Sequence, residues 1–341
     1  MKATWSVPAI TRMIPAWAIL WLIAVPTHAK YGGGDGTAAD PYQIWTAEQM
    51  NAIGAEPNDW DKHFKLMADI DLSAYDGQEG RPAFDLIARG GNPPRTPFTG
   101  TFDGAGHTIA RFTYRSAYAS HVGLFRALGG PSGKIRNLGL TDLTVDIEGG
   151  SEVGGLVGGC DGRIVDCHIS GGMVTGYKVG GLAGVNRGTI ERCHYSGTVM
   201  GPSYVGGLVG DNCANTAVVR DCHSAGSVTA EYGGGGAIGR NLGEVFACYS
   251  AATVSGGQGI GGLIGHNDAE GLVMCCYATG SVRGDSRAIG GLVGANDDTV
   301  VHSYSVGAVS GPAAYTGGLV GWIGYNNGRA MRTTGWSRRS I

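Results

Sequence analysis

Three cysteine–histidine pairs recur along the chain and could ligate a metal ion: Cys167-His168, Cys193-His194 and Cys222-His223. Thiolate and imidazole are ligands that zinc prefers in proteins. Adjacent residues of a strand point to opposite faces, however, so the cysteines would form one column and the histidines another. Tyr249, Tyr277 and Tyr304 continue the histidine column, and a phenol cannot replace a zinc-bound imidazole. We therefore expect stacked rings and no metal site or cofactor; a site shared by the three histidines is the alternative.

Two carboxylates, Asp69 and Asp71, lie two residues apart in the segment KLMADIDL, Lys65–Leu72. On one strand face they would be about 6.6 Å apart, a separation that inverting glycosidases use. The alternation of apolar and polar residues instead predicts a half-buried strand whose solvent face carries both carboxylates. Asp103 in FDGAGH is interpreted as a turn residue, followed by Gly104. We predict no catalytic residue here.

The elements that position these residues are set by an internal repeat. The phrase GGLVG, or a close variant, recurs at steps of 26, 26, 29, 26, 29 and 27 residues. The extra residues fall at one phase, in DNCANTA and HNDAEG, which predicts one loop on one face. The phrase starts at Gly154, Gly180, Gly206, Gly235, Gly261, Gly290 and Gly317.

A repeat of about 26 residues with dense glycine predicts a right-handed parallel β-solenoid of about seven 26–29-residue coils. Glycine suits sharp turns and close backbone approach, and no amphipathic helix fits between glycines this dense. A β-propeller is the alternative, although its blades need about 40 residues or more. Because Ile164 and Cys167 are three residues apart, we expect a bend or bulge that lets both side chains point inward.

Two polar columns follow from the repeat. Five of the eight cysteines recur at one phase, and in-register Cβ atoms of adjacent coils are too far apart for a disulfide without distortion. We therefore expect a ladder of buried thiols that behave as small hydrophobic side chains, and an asparagine ladder of amide hydrogen bonds. The columns are Cys167, Cys193, Cys222, Cys248 and Cys276, and Asn186, Asn212, Asn241, Asn267 and Asn296.

The segment GGLAGVNRGTIERCHYSGTV, Gly180–Val199, resembles the GLUG-motif repeat of bacterial exported proteins, and seven such repeats cover about residues 122–321. The resemblance implies an adhesin-like β-helix, secreted or displayed at the cell surface. GLUG repeats also accompany immunoglobulin A metallopeptidase domains as non-catalytic regions. The family offers no catalytic residue to transfer to this chain.

The N-terminus resembles an export signal. Lys2 and Arg12 precede the apolar run MIPAWAILWLIAV, and Thr27 and Ala29 stand where a signal peptidase reads small residues. We predict a signal peptide over residues 1–29, cleaved after Ala29, with no stable membrane span afterwards; an uncleaved anchor is the alternative. The mature chain then holds 23 basic and 28 acidic residues, a net charge of −5. Without a basic stripe in the repeats, nucleic acid is not an expected partner.

Residues 30–121 are predicted to form an N-terminal cap and the first, irregular coils. The capping-box pattern TAEQ, Thr46–Gln49, predicts a short helix to about Ile53 that shields the terminal coil. FTGTFDGAGHTIARFTY predicts a strand, a turn and a strand, and HVGLF, His121–Phe125, is interpreted as a degenerate GGLVG.

Residues 322–341 are predicted to form an irregular Arg-rich tail. Asn and Cys do not return at their repeat positions after the seventh GGLVG, so we expect the repeat phase to be lost after about Gly324 and no further coil to be completed. Two explanations stay open: a makeshift cap that uses Trp322 and Trp336, or a truncated reading frame.

These observations together favour a non-enzymatic scaffold, secreted or at the cell surface, that is adhesive or binds glycans. An extracellular polysaccharide or a cell-surface protein would be its partner, and the ligand-binding residues stay unassigned. A β-helix polysaccharide lyase or hydrolase is the alternative. Such an enzyme would concentrate acids or Arg on one face, whereas the exposed variable positions of the repeat are mixed in type: Asp166, Arg192, Asp221, Ala247, Cys275 and His302.

Overall fold

The computed structural model describes residues 30–88, 96–312 and 315–324, together with the backbone of 329–331 and 334–335. The chain is an all-β solenoid whose coils contribute strands to three parallel sheets. About eight coils contribute strands to all three sheets, because the smallest sheet has eight strands. The predicted signal peptide, residues 1–29, lies outside the described residues. Over the described part of the chain, no helix is long and apolar enough to cross a bilayer.

Sheet 1 has eleven parallel strands, mostly of three residues, and their middle side chains are buried in one column that runs in register from Phe64 to Val300. Its strands are Tyr42–Ile44, His63–Leu66, Thr101–Asp103, Lys134–Arg136, Arg163–Val165, Thr189–Glu191, Val218–Arg220, Glu244–Phe246, Leu272–Met274, Thr299–Val301 and Arg329–Met331.

Sheet 2 is formed by the end of each GGLVG phrase and the residues that follow it. Insertions DNCANTA and HNDAEG both form turns between sheet 2 and sheet 1, so the predicted single loop face is confirmed. The eight strands are Phe125–Leu128, Val157–Cys160, Ala183–Asn186, Val209–Asn212, Ile238–Asn241, Ile264–Asn267, Val293–Asn296 and Val320–Ile323.

Sheet 3 has eighteen strands, because several coils contribute more than one strand to it. Its longest strands, each of 13 residues, lie in the central coils. The strands are Ile70–Asp71, Thr108–Ala110, Thr113–Ser116, Gly139–Ile147, Val153–Gly154, His168–Thr175, Val179–Gly180, His194–Gly206, His223–Gly235, Tyr249–Ser250, Thr253–Gly261, Tyr277–Ala278, Val282–Gly284, Ile289–Gly290, Tyr304–Ser305, Val309–Ser310, Thr316–Gly317 and Thr334–Gly335.

A left-handed residue forms the corner between sheet 1 and sheet 3. Ile164 and Cys167 are both buried because Asp166 between them has a φ of 55°. The same corner recurs in neighbouring coils with φ between 50° and 57°, so the predicted bend is confirmed. The corner residues are Asn137, Asp166, Arg192, Asp221, Ala247, Cys275 and His302.

The glycines of GGLVG are required because backbones approach one another closely. A Cβ on Gly206 would collide with the carbonyl oxygen of Val209, and one on Gly207 with that of Gly236 in the next coil. A Cβ on Gly210 would press on the backbone of the preceding coil. Larger residues at these positions would separate coils that now share hydrogen bonds.

The predicted N-terminal helix is confirmed and spans Ala47–Ala55, two residues beyond the predicted end. Thr46 Oγ1 accepts the N–H of Gln49 at 3.3 Å, as the capping box requires. Met50 and Ile53 are buried in the same core as the coils, which joins the helix to the first coil. Its function as a cap stays a prediction. Two short 3-10 turns follow, Pro57–Asp59 and Ser73–Tyr75.

The segment Lys65–Leu72 is not one strand, and that prediction is wrong. His63–Leu66 belongs to sheet 1 and Ile70–Asp71 to sheet 3, with a corner between them. Sequence alternation continues through the corner because both strands bury their apolar residues in one core. The predicted strand and turn in residues 98–114 are present, with three strands in or overlapping that segment.

The expectation that no coil is completed after Gly324 is wrong for the described backbone. Arg329–Met331 pairs in register with Thr299–Val301, and Thr334–Gly335 pairs with Tyr304–Ser305. Parallel pairing requires an extended main chain and does not require the Asn and Cys of the repeat. The assignment of residues 322–341 as a separate tail stays a prediction, and Trp336 lies outside the described residues.

Leu208 and Asn215 test the assignment of inward and loop positions. Leu208 is fully buried and Asn215 is exposed in the insertion turn. Leu208→Ala should lower the free energy of unfolding by about 2–5 kcal/mol because it leaves a cavity. Asn215→Ala should change it by less than about 0.5 kcal/mol. Chemical denaturation of both variants would measure this, and equal losses would contradict the assignment.

Candidate functional site

The asparagines of sheet 2 form a continuous amide ladder, as the sequence predicts. From Asn186 to Asn296, the Nδ2 of each residue donates to the Oδ1 of the next at 2.8 Å. All five side chains are fully buried. Asn241 also exchanges two hydrogen bonds with the backbone of Gly243, so each amide fixes its own turn. These amides are used in hydrogen bonds that stabilise the fold, and none faces solvent.

The cysteine column is a ladder of buried thiols, as predicted. The N–H of Cys193 donates to Sγ of Cys222 at 3.3 Å, and the N–H of Cys248 donates to Sγ of Cys276 at 3.4 Å. Ser303 completes the column by accepting the N–H of Cys276 at 3.1 Å. Burial raises the pKa of the Cys248 thiol well above its ordinary value, which makes it a poor nucleophile. All eight cysteines are free.

The predicted ring stack is confirmed on the outside of sheet 3. Successive ring centroids are 4.7–5.1 Å apart and the planes differ by at most 10°. Imidazoles stacked face to face cannot converge on one ion. Among the described residues, no three His, Cys, Asp or Glu side chains are grouped to hold a metal. The rings are His168, His194, His223, Tyr249, Tyr277 and Tyr304.

Asp69 and Asp71 are each bonded to the neighbouring coil. Asp69 accepts the N–H of Thr108 at 2.9 Å, and this hydrogen bond lowers the pKa of the carboxyl. Asp71 pairs with Arg111, which lowers its pKa to about 2. A glycosidase acid needs a raised pKa, and both residues have the opposite shift. The pair therefore has the properties of structural carboxylates.

A charged and aromatic cluster on the outer side of sheet 2 was missed by sequence reasoning. Three of its side chains occupy the same position on three successive coils: Asp211, Arg240 and His266. Each directly precedes a ladder asparagine, so these side chains point to the face of sheet 2 opposite to the one that carries the asparagine ladder. The cationic groups of Lys178 and Arg240 lie 5.9 and 5.5 Å from the ring centre of Tyr204. Lys178 also approaches Asp211 at 3.3 Å. The sequence signal was the residue before each ladder asparagine, which is Asp, Arg or His in these coils alone.

The cluster is packed, and this limits what it can bind. The side chain of Asp211 is 2% exposed, and its Oδ1 accepts no hydrogen bond from the described residues. Burial raises the pKa of Asp211, since two partly exposed cations offset only part of the desolvation. Desolvation by burial lowers the pKa of His266. Because its side chain is 2% exposed, Asp211 is not presented to a ligand.

An open groove of about 690 Å³ lies elsewhere, along the outside of sheet 3. Its floor includes Gly176, Gly201, Ala230 and Gly256, and the last three stand in register. One side of the groove is a column of in-register residues that directly precede the floor positions. The other side is formed by residues two positions after that column in the sequence of each coil. The two sides are Asp146, Thr175, Met200 and Thr229, and Glu148, Pro202, Glu231, Gly257 and Asp285.

The groove is an open concave surface formed by the regular coils. No lining residue is Lys, Arg or His. Asp146 is engaged by the hydroxyl of Thr175 at 2.6 Å, whereas Glu148 and Glu231 are exposed and have no side-chain partner within the described residues. Sequence reasoning could not find this groove because its residues come from six coils and share no motif.

Asn241 tests the amide ladder. Asn241→Ala would leave Asn212 without its acceptor and Asn267 without its donor, at about 1–3 kcal/mol for each buried group. Asn296→Ala at the end of the ladder would leave a single ladder partner unpaired, so its loss should be smaller. Urea denaturation of both variants measures the difference. Equal or negligible losses would show that the ladder does not stabilise the fold.

The histidine stack predicts a pH dependence. Burial lowers the pKa of His194 and His223, and neighbouring imidazoles add to the effect at His194. The unfolded chain, with pKa about 6.5, therefore binds protons first, and stability should fall as the pH drops below about 6.5. The double variant His194→Tyr/His223→Tyr keeps the stack, as Tyr249 does, and should have a smaller slope between pH 6.5 and 5, while buried His266 contributes equally to both proteins. Parallel slopes for wild type and variant would contradict the prediction.

Two curated proteins are similar to part of the chain. The "Putative Gly-rich membrane protein" of Evansella cellulosilytica is 33% identical over 150 residues, which are 44% of this chain and 17% of that protein. "Halomucin" of Haloquadratum walsbyi is 35% identical over 140 residues, 40% of this chain and 2% of that protein. The similarity thus spans a small part of each relative. No family model matches the chain.

A solved structure has the same fold. It is described as "a putative immunoglobulin A1 protease from Bacteroides ovatus", with a TM-score of 0.53 and 20% identity over 91% of this chain and 87% of that chain. At this identity the likeness concerns the fold alone. A β-solenoid with relatives named as a membrane protein and as halomucin fits a surface scaffold and is consistent with a location at the cell surface.

Proposed function

We propose that this protein is an exported, non-enzymatic β-solenoid scaffold that is displayed at the cell surface or secreted and binds extracellular polysaccharide. The observation that carries the proposal is the continuity of the side-chain ladders. Asparagine, cysteine and ring columns pass through five or six coils. The asparagine amides bond to one another, cysteine sulfurs accept backbone N–H groups of the adjacent coil, and the rings stack. Ladders of this kind stabilise a long stack of coils. Ligands would then be bound by the side chains that point outward from it.

The names of the relatives support the location. Export through a signal peptide cleaved after Ala29 and membership among GLUG-repeat proteins both belong to this proposal. The formation of solenoid coils by the described residues within 122–321 supports this part of the proposal.

An enzyme is the competing function, and the description of the structural neighbour as a putative protease is the observation that favours it. The contacts of this chain support the scaffold instead. Asp69 and Asp71 are ion-paired or bonded to backbone and have lowered pKa values. The ring column offers no converging imidazoles, and the cysteine column is buried.

A binding and release assay separates the two functions. The mature chain, residues 30–341, would be incubated with a panel of polysaccharides and cell-wall preparations, and both retention and soluble fragments would be measured. Retention without fragments is the expected result. Fragment release that Asp69→Asn or Asp71→Asn abolishes would overturn the scaffold, and proteolysis of a co-incubated immunoglobulin would do the same.

A further inference from the structure

We propose that the groove on the outside of sheet 3 is the polysaccharide site, and that it holds an extended, uncharged polysaccharide along the solenoid axis. This inference rests on the proposed function and adds the site and the class of glycan. It depends on the length of the groove, on the groups that line it and on its charge.

The groove is long enough for several sugar units. Its lining comes from six successive coils, from the one that contains Asp146 to the one that contains Asp285. Coils separated by about 4.8 Å give a length of about 24 Å. The in-register positions repeat at a spacing close to the length of one pyranose unit in an extended chain. A polymer laid along the axis would therefore meet equivalent positions on successive coils.

The lining groups suit hydroxyl-rich ligands. Glu148 and Glu231 are exposed carboxylates without a side-chain partner in the described residues, and each can accept hydrogen bonds from sugar hydroxyls. Thr229 adds an exposed hydroxyl that can donate or accept. Met200 and Pro202 are exposed apolar groups between them, which can pack against the C–H face of a sugar ring.

The charge of the lining selects against acidic polymers. Carboxylates come from four residues, and no lining residue is basic. Arg283 lies just beyond the groove, 3.8 Å from Asp285, at one end. A polyuronate or a nucleic acid would be repelled by the carboxylates of Glu148 and Glu231, which have no basic partner in the described residues. A neutral chain with hydroxyl donors meets these acceptors without that penalty.

The floor glycines do not contribute to this argument, because packing already requires them. A Cβ on Gly201 would collide with the carbonyl oxygen of Gly176, and one on Gly256 with that of Ala230. Four side chains on the two sides of the groove, which form its rim, are different, since they are exposed: Glu148, Met200, Thr229 and Glu231. Variants at the rim can therefore test binding while they leave the fold intact.

The test compares rim variants with matched surface variants. Thr229→Trp fills the groove, and Glu148→Gln/Glu231→Gln removes both free carboxylates; Asp221→Asn/Glu270→Gln changes two exposed carboxylates outside the groove. Neutral glucan, xylan and mannan oligomers are titrated calorimetrically, with oligogalacturonate, oligoglucosamine and oligolysine as charged probes. We expect the wild type and the surface control to bind a neutral oligomer, and both rim variants to bind it at least about tenfold more weakly with unchanged melting temperature.

Each other outcome overturns the inference in an identifiable way. If the wild type binds a neutral oligomer and the rim variants bind it equally well, the groove assignment is wrong while the proposed function stands. If the groove binds oligogalacturonate, oligoglucosamine or oligolysine in preference to the neutral oligomers, the ligand class is wrong. If the wild type retains no polysaccharide of any kind, both this inference and the proposed function fail.

Discussion

In-register hydrogen bonding between the main chains of successive coils is the constraint on which the rest of the structure depends. Each strand pairs in parallel with the strand one repeat later, as Asn212 pairs with Asn241 in sheet 2. Most side chains consequently lie beside their counterparts in the adjacent coils, and a residue type suited to the inside of one coil is suited to the inside of the others. The same constraint explains GGLVG, because backbones this close exclude a Cβ at Gly206 and Gly207. Length variation is confined to turns, where an insertion leaves the pairing intact.

Side chains then divide into two groups according to the direction in which they point. The inward asparagines can exist because each finds a partner in an adjacent coil; Asn241 is fully buried yet bonded to both neighbours in the ladder. Apart from the ring stack of sheet 3, outward residues are released from this repetition, and there the coils differ. Asp211, Arg240 and His266 form a closed cluster on sheet 2, while Glu148, Thr229 and Glu231 line an open groove on sheet 3. Recognition is therefore expected on the outward columns.

The sequence allows prediction of whatever repeats. The solenoid, the asparagine and cysteine ladders, the ring stack and the bend at Asp166 all follow from residues that recur at one phase. Prediction from the sequence fails where the fold depends on main-chain pairing alone or where a surface is built from several coils. Lys65–Leu72 alternates as one strand would, although a corner divides it, because the core is continuous around the corner. Arg329–Met331 pairs without the repeat residues. The groove has no motif, since its lining comes from six coils.

Distances between spin labels along one corner column test the central claim, in-register stacking, most directly. Cys275 is exposed and supplies one label; Asp166→Cys, Arg192→Cys or Asp221→Cys supplies the second, in a chain that carries Cys213→Ser. These corners are four, three and two coils from Cys275, so the distances between labelled positions should be about 19, 14 and 10 Å, a fall of about 4.8 Å per coil. Distances that do not fall in equal steps, or that exceed these values by more than the reach of the labels, would contradict the stacking of the coils.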